Sequence, residues 1–167
     1  MPASTELHID RADLNKPRDA ADYRAQLNLY AKDAMGVGRS LPGELLGKVT
    51  EDLAKLPNAK IYLARQGTQA AGFATCFTGY STFRAMPLWN IHDIAVTPEL
   101  RGRGIATAMI EQIARDAAEA GCCKLTLEVR EDNPVAERLY RHLGFAASRN
   151  DEQEIPYRFL ERQLEQS

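Results

Sequence analysis

Residues 90–120 carry the feature that most restricts the fold. A β-rich run, Asn90-Ile-His-Asp-Ile-Ala-Val-Thr97, leads through Pro98-Glu-Leu-Arg-Gly-Arg-Gly104 into a stretch with Ile105, Met109, Ile113 and Ala117 four apart and Ala106, Ile110 and Ala114 beside them. That spacing predicts an amphipathic helix, ended by Gly121 at the position that favours a left-handed residue. Lys124 to Arg130 then reads as a strand, and because a helical crossover separates it from the first one, the two must be parallel. The turn between strand and helix has a chemical character of its own. The helix's first free N–H groups point back into it, Gly102 and Gly104 allow close backbone approach, and Arg101 and Arg103 add positive charge beside the dipole's positive end. Such a turn suits an anion, and a diphosphate in particular.

The rest of the chain supplies further elements. Leu7 to Ile9 reads as a short edge strand. Ala20, Tyr23, Leu27 and Tyr30 recur at helical steps after Pro17, and Leu45, Leu46, Val49, Leu53 and Leu56 do so again before Pro57. Gly36, Gly38, Pro42 and Gly43 break the chain between these helices. From Lys60 the period becomes strand-like, with a hairpin turning through Gln66 to Gln69 and a third strand from Trp89 to Thr97. Asn133 and Pro134 open a last helix that ends at Gly144, and Phe145 to Ser148 and Ile155 to Glu161 read as two closing strands. The expected architecture is a single α/β domain over 1–167, with a mixed sheet of about six or seven strands and about four helices.

Composition narrows the function classes. A net charge of -2 argues against bulk nucleic-acid binding, and no apolar run approaches membrane-spanning length or resembles a signal peptide, so the expectation is a cytoplasmic protein. Cys76, Cys122 and Cys123 are too few for a disulfide framework and lack zinc-site spacing, so no metal is expected.

Among phosphate-binding turns, the P-loop would need a Gly-Lys-Ser/Thr ending that is absent here. A dinucleotide-binding turn would need its strand to run straight into the glycines, whereas Thr97 to Leu100 intervene. Arg101-Gly-Arg-Gly-Ile-Ala106 instead matches an Arg/Gln-x-x-Gly-x-Gly/Ala signature, and Asn133-Pro-Val-Ala-Glu-Arg-Leu-Tyr140-Arg-His-Leu-Gly-Phe145 matches an Asn-x-x-Ala-x-x-Leu-Tyr-x-x-x-Gly-Phe block. In this order the two blocks resemble the GNAT superfamily of N-acetyltransferases, and the likeness extends from Ile91 to Phe145.

The resemblance implies a GNAT-like fold and acetyl-CoA as donor. Its diphosphate would lie on the amides of Arg101, Gly102, Arg103, Gly104, Ile105, Ala106 and Thr107. Its pantetheine would bond to Ile94, Ala95 and Val96, where the parallel strands splay, and to Asn133. An amine of pKa about 10.4 must lose a proton before it attacks, at a cost of about 4 to 5 kcal/mol at pH 7, so a base is useful. Glu128 interrupts Leu125, Leu127 and Val129 in a strand expected to be central, and its surroundings are similar to those of the catalytic glutamate in ribosomal-protein alanine N-acetyltransferases. Pairing with Arg130, Lys124 or another strand's cation is the competing role for it. His92 and Asp93 form a rival pair; neighbours in a regular strand face opposite ways, so only one of them would reach the acetyl group. Tyr140 occupies the family's general-acid position, where hydrogen-bonding the departing thiolate would be its larger contribution.

By the same resemblance the acceptor side falls to Tyr30, Asp33, Met35 and Arg39, joined by Tyr80 and Phe83, with a small-molecule or peptide amine as acceptor. Homodimerisation is compatible with such a fold. The reading from another class is a non-catalytic acetyl-CoA-binding sensor or interaction module.

Overall fold

The computed structural model describes residues 6–147 and 158–164. By internal packing the chain divides into two units, Met1–Asn133 and Pro134–Ser167. The first holds a five-stranded sheet in the order β1 (Leu7–Arg11), β2 (Ala59–Gln66), β3 (Gln69–Ser81), β4 (Met86–Val96), β5 (Leu125–Leu127). All neighbours are antiparallel except β4 and β5, which are parallel, as the crossover through α3 (Ile105–Glu119) requires.

Strand alternation sorts the sheet's two faces. Ile61, Leu63 and Phe73 join Tyr23 and Leu14 in one cluster, covered by α1 (Pro17–Lys32) and α2 (Gly43–Lys55) through Leu27, Tyr30, Val49 and Leu53. Residues of the opposite parity meet α3. Tyr62 donates its hydroxyl to Asp116 at 2.6 Å, and Met109, Ile113 and Ala117 are buried there. The apolar stripe of α3 was readable because it is long and regular; α2 is less so, and Leu45 and Leu56 on its stripe stay exposed while Thr50 is buried, its hydroxyl bonded to Leu46 O at 2.7 Å.

Two glycines close the helix termini as their positions required. Gly121 (φ 79°) stops α3 and Gly144 (φ 90°) follows α4 (Pro134–His142). Within the second unit, Phe145 N–H bonds Tyr140 O and the two rings meet edge to face at 6.0 Å.

The sheet is shorter than expected. Among the described residues it has five strands rather than six or seven, since Phe145 to Ala147 and Arg158 to Glu161 form none and the remainder of both expected strands lies outside the described residues. β5 spans three residues rather than seven because β4 leaves it after the pair Ile91 and Leu127. No helix among the described residues is long and apolar enough to cross a membrane.

Candidate functional site

The basic turn is built on the end of β4. Thr97 N–H bonds Ala71 O at 2.8 Å, and its hydroxyl donates to Gln26 Oε1 at 3.2 Å, while Gln26 Nε2 donates to Ala70 O at 3.2 Å. Gln26 and Thr97 are both buried, so this contact fixes the start of the turn to α1. One 3₁₀ turn, Pro98–Leu100, follows; Gly102 and Gly104 then take φ of 75° and 77°. A Cβ at either glycine would meet nothing within 4 Å, so the requirement is left-handed backbone and not space. No side chain caps α3, which leaves its first N–H groups directed toward the open turn.

The two arginines lie beside these amides. Arg103 donates to Glu99 O at 3.3 Å. Arg101 donates through Nε to Val96 O at 3.3 Å and through Nη2 to Asp33 Oδ2 at 2.7 Å. Asp33 also accepts Met35 N–H at 2.9 Å, and these two donors hold its carboxyl below its ordinary value, the Met35 bond first. Both oxygens of Asp33, expected to face an acceptor amine, are thus already engaged.

Upstream of the turn, among the described residues, the edge of β4 beyond Ile91 pairs with no strand. Its pairing with β5 ends at Ile91, and backbone groups along a strand alternate sides. Since Thr97 N–H points to β3, Ala95 also faces β3, whereas Ile94 and Val96 turn their N–H and C=O into the gap left by β5. Of the three backbone positions expected to meet a pantetheine arm, Ile94 and Val96 face the gap and Ala95 faces β3. Asn90 Nδ2 bonds Thr126 Oγ1 at 3.0 Å, bridging the two strands just before they part.

A β-bulge lies where the gap opens. Thr75 pairs with Asp93 and Cys76 with Ile91, so His92 is the extra residue. His92 and Asp93 consequently share a face, which corrects the alternation expected of a regular strand. The His92 ring meets Phe77 at 5.6 Å, Phe77 and Thr75 lie on the same face of β3, and Asp93 is opposite Thr75. Burial pushes the Asp93 carboxyl up, with His92 pulling it partly back. Around it, Tyr23 shares a 2.9 Å hydrogen bond with Thr75 and is pushed up to about 12 by burial. Tyr30, half-buried, is raised by burial and then by Asp93, with Arg130 opposing and Asp33 adding to the rise. Tyr30 thus lies within electrostatic reach of Asp93, Asp33 and Arg130, and Asp93 within that of His92.

Other expected residues fall elsewhere. Glu128 follows the end of β5, exposed and with no ion pair or hydrogen bond among the described residues; it lies just past the strand, because β5 stops at Leu127, and among the described residues β5 is the outermost of the five. Arg130, the competing partner, pairs instead with Asp132 through bonds of 2.9 and 2.7 Å. Asn133 is half-buried, and its N–H bonds Arg130 O at 3.0 Å. Phe83 is wholly exposed at the tip of the β3–β4 hairpin, and Tyr80 pairs with Pro87, six positions before Asp93 and so roughly 20 Å along the strand. Those two are not brought to the Asp93 cluster. Met35 is half-buried beside Asp33, and Arg39 is exposed. Gln26 has one signal in the sequence: it is a polar residue inside the Tyr23 to Tyr30 stripe.

The Acetyltransferase (GNAT) family matches residues 24–145 of this chain. Over 79 residues the chain is 37% identical to thialysine N-epsilon-acetyltransferase of Bos taurus, a stretch that covers 47% of this chain and 46% of that protein. The chain spans about half the length of the curated relatives it matches. Its fold is similar to that of an aminoglycoside acetyltransferase from an uncultured soil metagenomic sample, solved with sisomicin, at a TM-score of 0.77 and 18% identity over 95% of this chain and 97% of that one. It is also similar to an aminoglycoside N-acetyltransferase solved with CoA, at a TM-score of 0.73 and 17% identity over 98% of both chains. At such identities the two solved structures speak for the fold alone.

Proposed function

The chain belongs to the acetyltransferase (GNAT) family, and from that premise we propose that it transfers the acetyl group of acetyl-CoA to a primary amine. One observation carries this reading: the outward-facing backbone of Ile94 and Val96 is continuous with the left-handed glycine turn at the uncapped head of α3. An extended arm with two amides would pair with the first, and a diphosphate would accept hydrogen bonds from the second. Arg101 and Arg103 add charge for that diphosphate, and Asn133 stands where the family's motif places a pantetheine contact. Acetyl-CoA supplies an activated thioester.

The chain's own residues then have separable roles. Ile94 N–H, facing the gap, polarises the acetyl oxygen as negative charge develops on it. Asp93 takes the proton of the incoming ammonium, because a carboxyl raised by burial is a better base than a solvated one. His92, exposed beside it, passes that proton to water. Glu128, a solvated carboxylate just past the end of β5, draws the cationic amine toward the gap or serves as the base itself. Tyr140 donates a hydrogen bond to the departing thiolate, a role supported by its place in the Asn133 to Phe145 block. The amine attacks directly, the C–N bond forms as the C–S bond breaks, and CoA leaves as a thiolate that becomes the thiol by taking up, through solvent, the second proton shed by the attacking nitrogen.

Thialysine is the first acceptor to test because the curated relatives are named for it, and aminoglycosides follow. The experiment measures acetyl-CoA-dependent release of CoA thiol against thialysine, lysine, polyamines, sisomicin and amine-bearing peptides. Amine-dependent release supports the transferase, and Asp93→Asn or Glu128→Gln then identifies the base through a loss of about 100-fold or more in turnover at neutral pH. Tyr140→Phe is expected to cost about tenfold, the value of one hydrogen bond. CoA binding with no release from any amine would favour the binding module instead.

A further inference from the structure

The connection between α1 and α2 is wound onto the C-terminal end of α1. Gly36 N–H bonds Asp33 O at 2.9 Å, Val37 and Arg39 N–H both bond Ala31 O at 3.1 and 3.2 Å, and Leu41 N–H bonds Asn28 Oδ1 at 2.9 Å. A Cβ at Gly36 would come within 2.2 Å of Tyr30 O, so the winding is tight. This end of α1 also touches the basic turn, through the Asp33 to Arg101 ion pair. The Gln26 to Thr97 contact, two turns earlier in α1, is buried and cannot respond to a ligand at the turn. The Asp33 to Arg101 contact can respond, since the Arg101 side chain is 50% exposed and that of Asp33 17%.

We propose that Asp33 is a positioning residue that transmits occupancy of the donor turn to the α1–α2 connection, so that the acceptor side is ordered when the donor's diphosphate is bound. Two of the five N–H groups of Arg101 are used by Val96 O and Asp33 Oδ2, which leaves three for an anion. An anion on those three immobilises the guanidinium, and a guanidinium already held loses less entropy in keeping Asp33. Asp33 passes that order on, because its other oxygen accepts Met35 N–H at the first bend of the connection. The inference rests on the donor-site reading given above.

Hydrogen exchange on the full chain, with and without saturating CoA, tests it. In the wild-type protein CoA slows exchange both at residues 101–107 and at residues 34–42, the latter by about two- to fivefold, the range a half-exposed ion pair supports. Asp33→Asn keeps an oxygen for Met35 N–H but removes the charge that holds Arg101. In this variant CoA still protects 101–107 while protection of 34–42 is lost. Arg101→Gln loses the same protection from the other side. Equal protection of 34–42 in wild type and Asp33→Asn overturns the inference, as does a wild-type protein protected at 101–107 alone. No protection at 101–107 in the wild type overturns the donor-site reading, and the inference falls with it.

Discussion

A single methyl group, added at two different glycines, separates backbone needs from packing needs. At Gly72 an added Cβ would lie 2.8 Å from Ala95 O, 3.3 Å from Met109 Sδ and 3.4 Å from Val96 Cα. Met109 can adjust, but Ala95 and Val96 are backbone of β4, held in register by β3 on one side and facing the gap on the other. Overpacking of this kind costs about 1 to 3 kcal/mol. Fewer unfolded conformations return about 0.4 to 1 kcal/mol, so Gly72→Ala should be destabilised by up to about 2.6 kcal/mol. At about 2 to 4 °C per kcal/mol for a chain of this size, Tm falls by up to about 10 °C. At Gly47, inside α2, an added Cβ meets nothing within 4 Å, so Gly47→Ala should gain about 0.5 to 1 kcal/mol from helix propensity alone. Thermal and urea unfolding followed through the buried Trp89 measure both, and calorimetric titration with CoA measures the slot. Gly72→Ala should bind CoA more weakly, because Val96 is displaced, and Gly47→Ala should bind it as wild type does. A Gly72→Ala protein that loses stability yet keeps full CoA affinity would refute the role assigned to the outward edge of β4. One that gains stability would refute the packing argument itself.

Other consequences follow from charge. Because the folded Asp93 carboxyl is raised by burial, the native state holds its proton to higher pH than the unfolded chain, and stability falls as pH rises above the ordinary value of 3.8. Asp93→Asn should therefore be more stable than wild type at pH 7 to 8 and converge with it in acid, as thermal unfolding across pH will report. Arg65, which donates to Asp19 at 2.7 Å and to Asp22 at 2.8 and 3.0 Å, ties α1 to β2. Arg65→Leu should cost about 3 kcal/mol at neutral pH, the low end for a buried pair because the carboxylates keep some exposure. Burial acts to raise the Asp19 carboxyl, but the Asp13 N–H and Arg65 outweigh it and the carboxyl is held low. Its contribution is thus present above pH 3.8 and lost as pH falls through the lowered value, so the deficit of Arg65→Leu in urea unfolding should shrink in acid.

Local chemistry was legible in the sequence, and pairing between distant segments was not. The turn at Gly102 and Gly104 and the helix after it follow from positive φ and a four-residue apolar period, both properties of neighbouring residues. The ion pair of Asp33 and Arg101 joins residues 68 apart, and neither is unusual in its own surroundings. The end of β5 was unreadable for a similar reason. Leu125, Leu127 and Val129 alternate as a longer strand would, but the length of a strand is set by its partner, and β4 departs at Ile91. That pattern predicts a strand interior for Glu128, and the departure leaves it past the end of β5.

The bulge at His92 explains why several of these features coincide, and one trace of it was visible. Along β4 the apolar residues facing α3 fall at 89, 91, 94 and 96, steps of two, three and two, where an unbroken strand would step by twos throughout. The extra residue leaves Trp89 and Ile91 on the same side as Ile94 and Val96 while both His92 and Asp93 turn toward α1. A regular strand would present only one member of that pair to a reacting group. A bulge also increases local twist, and the last pair between β4 and β5 is the residue just before it. The same insertion that seats two titratable side chains on one face therefore accompanies the parting of the strands, and the parting leaves Ile94 and Val96 without β5 as a partner beside them. The proposed base and the donor slot are in this sense one structural event, which is why a packing change at Gly72, on the far side of β4, is expected to register in CoA binding.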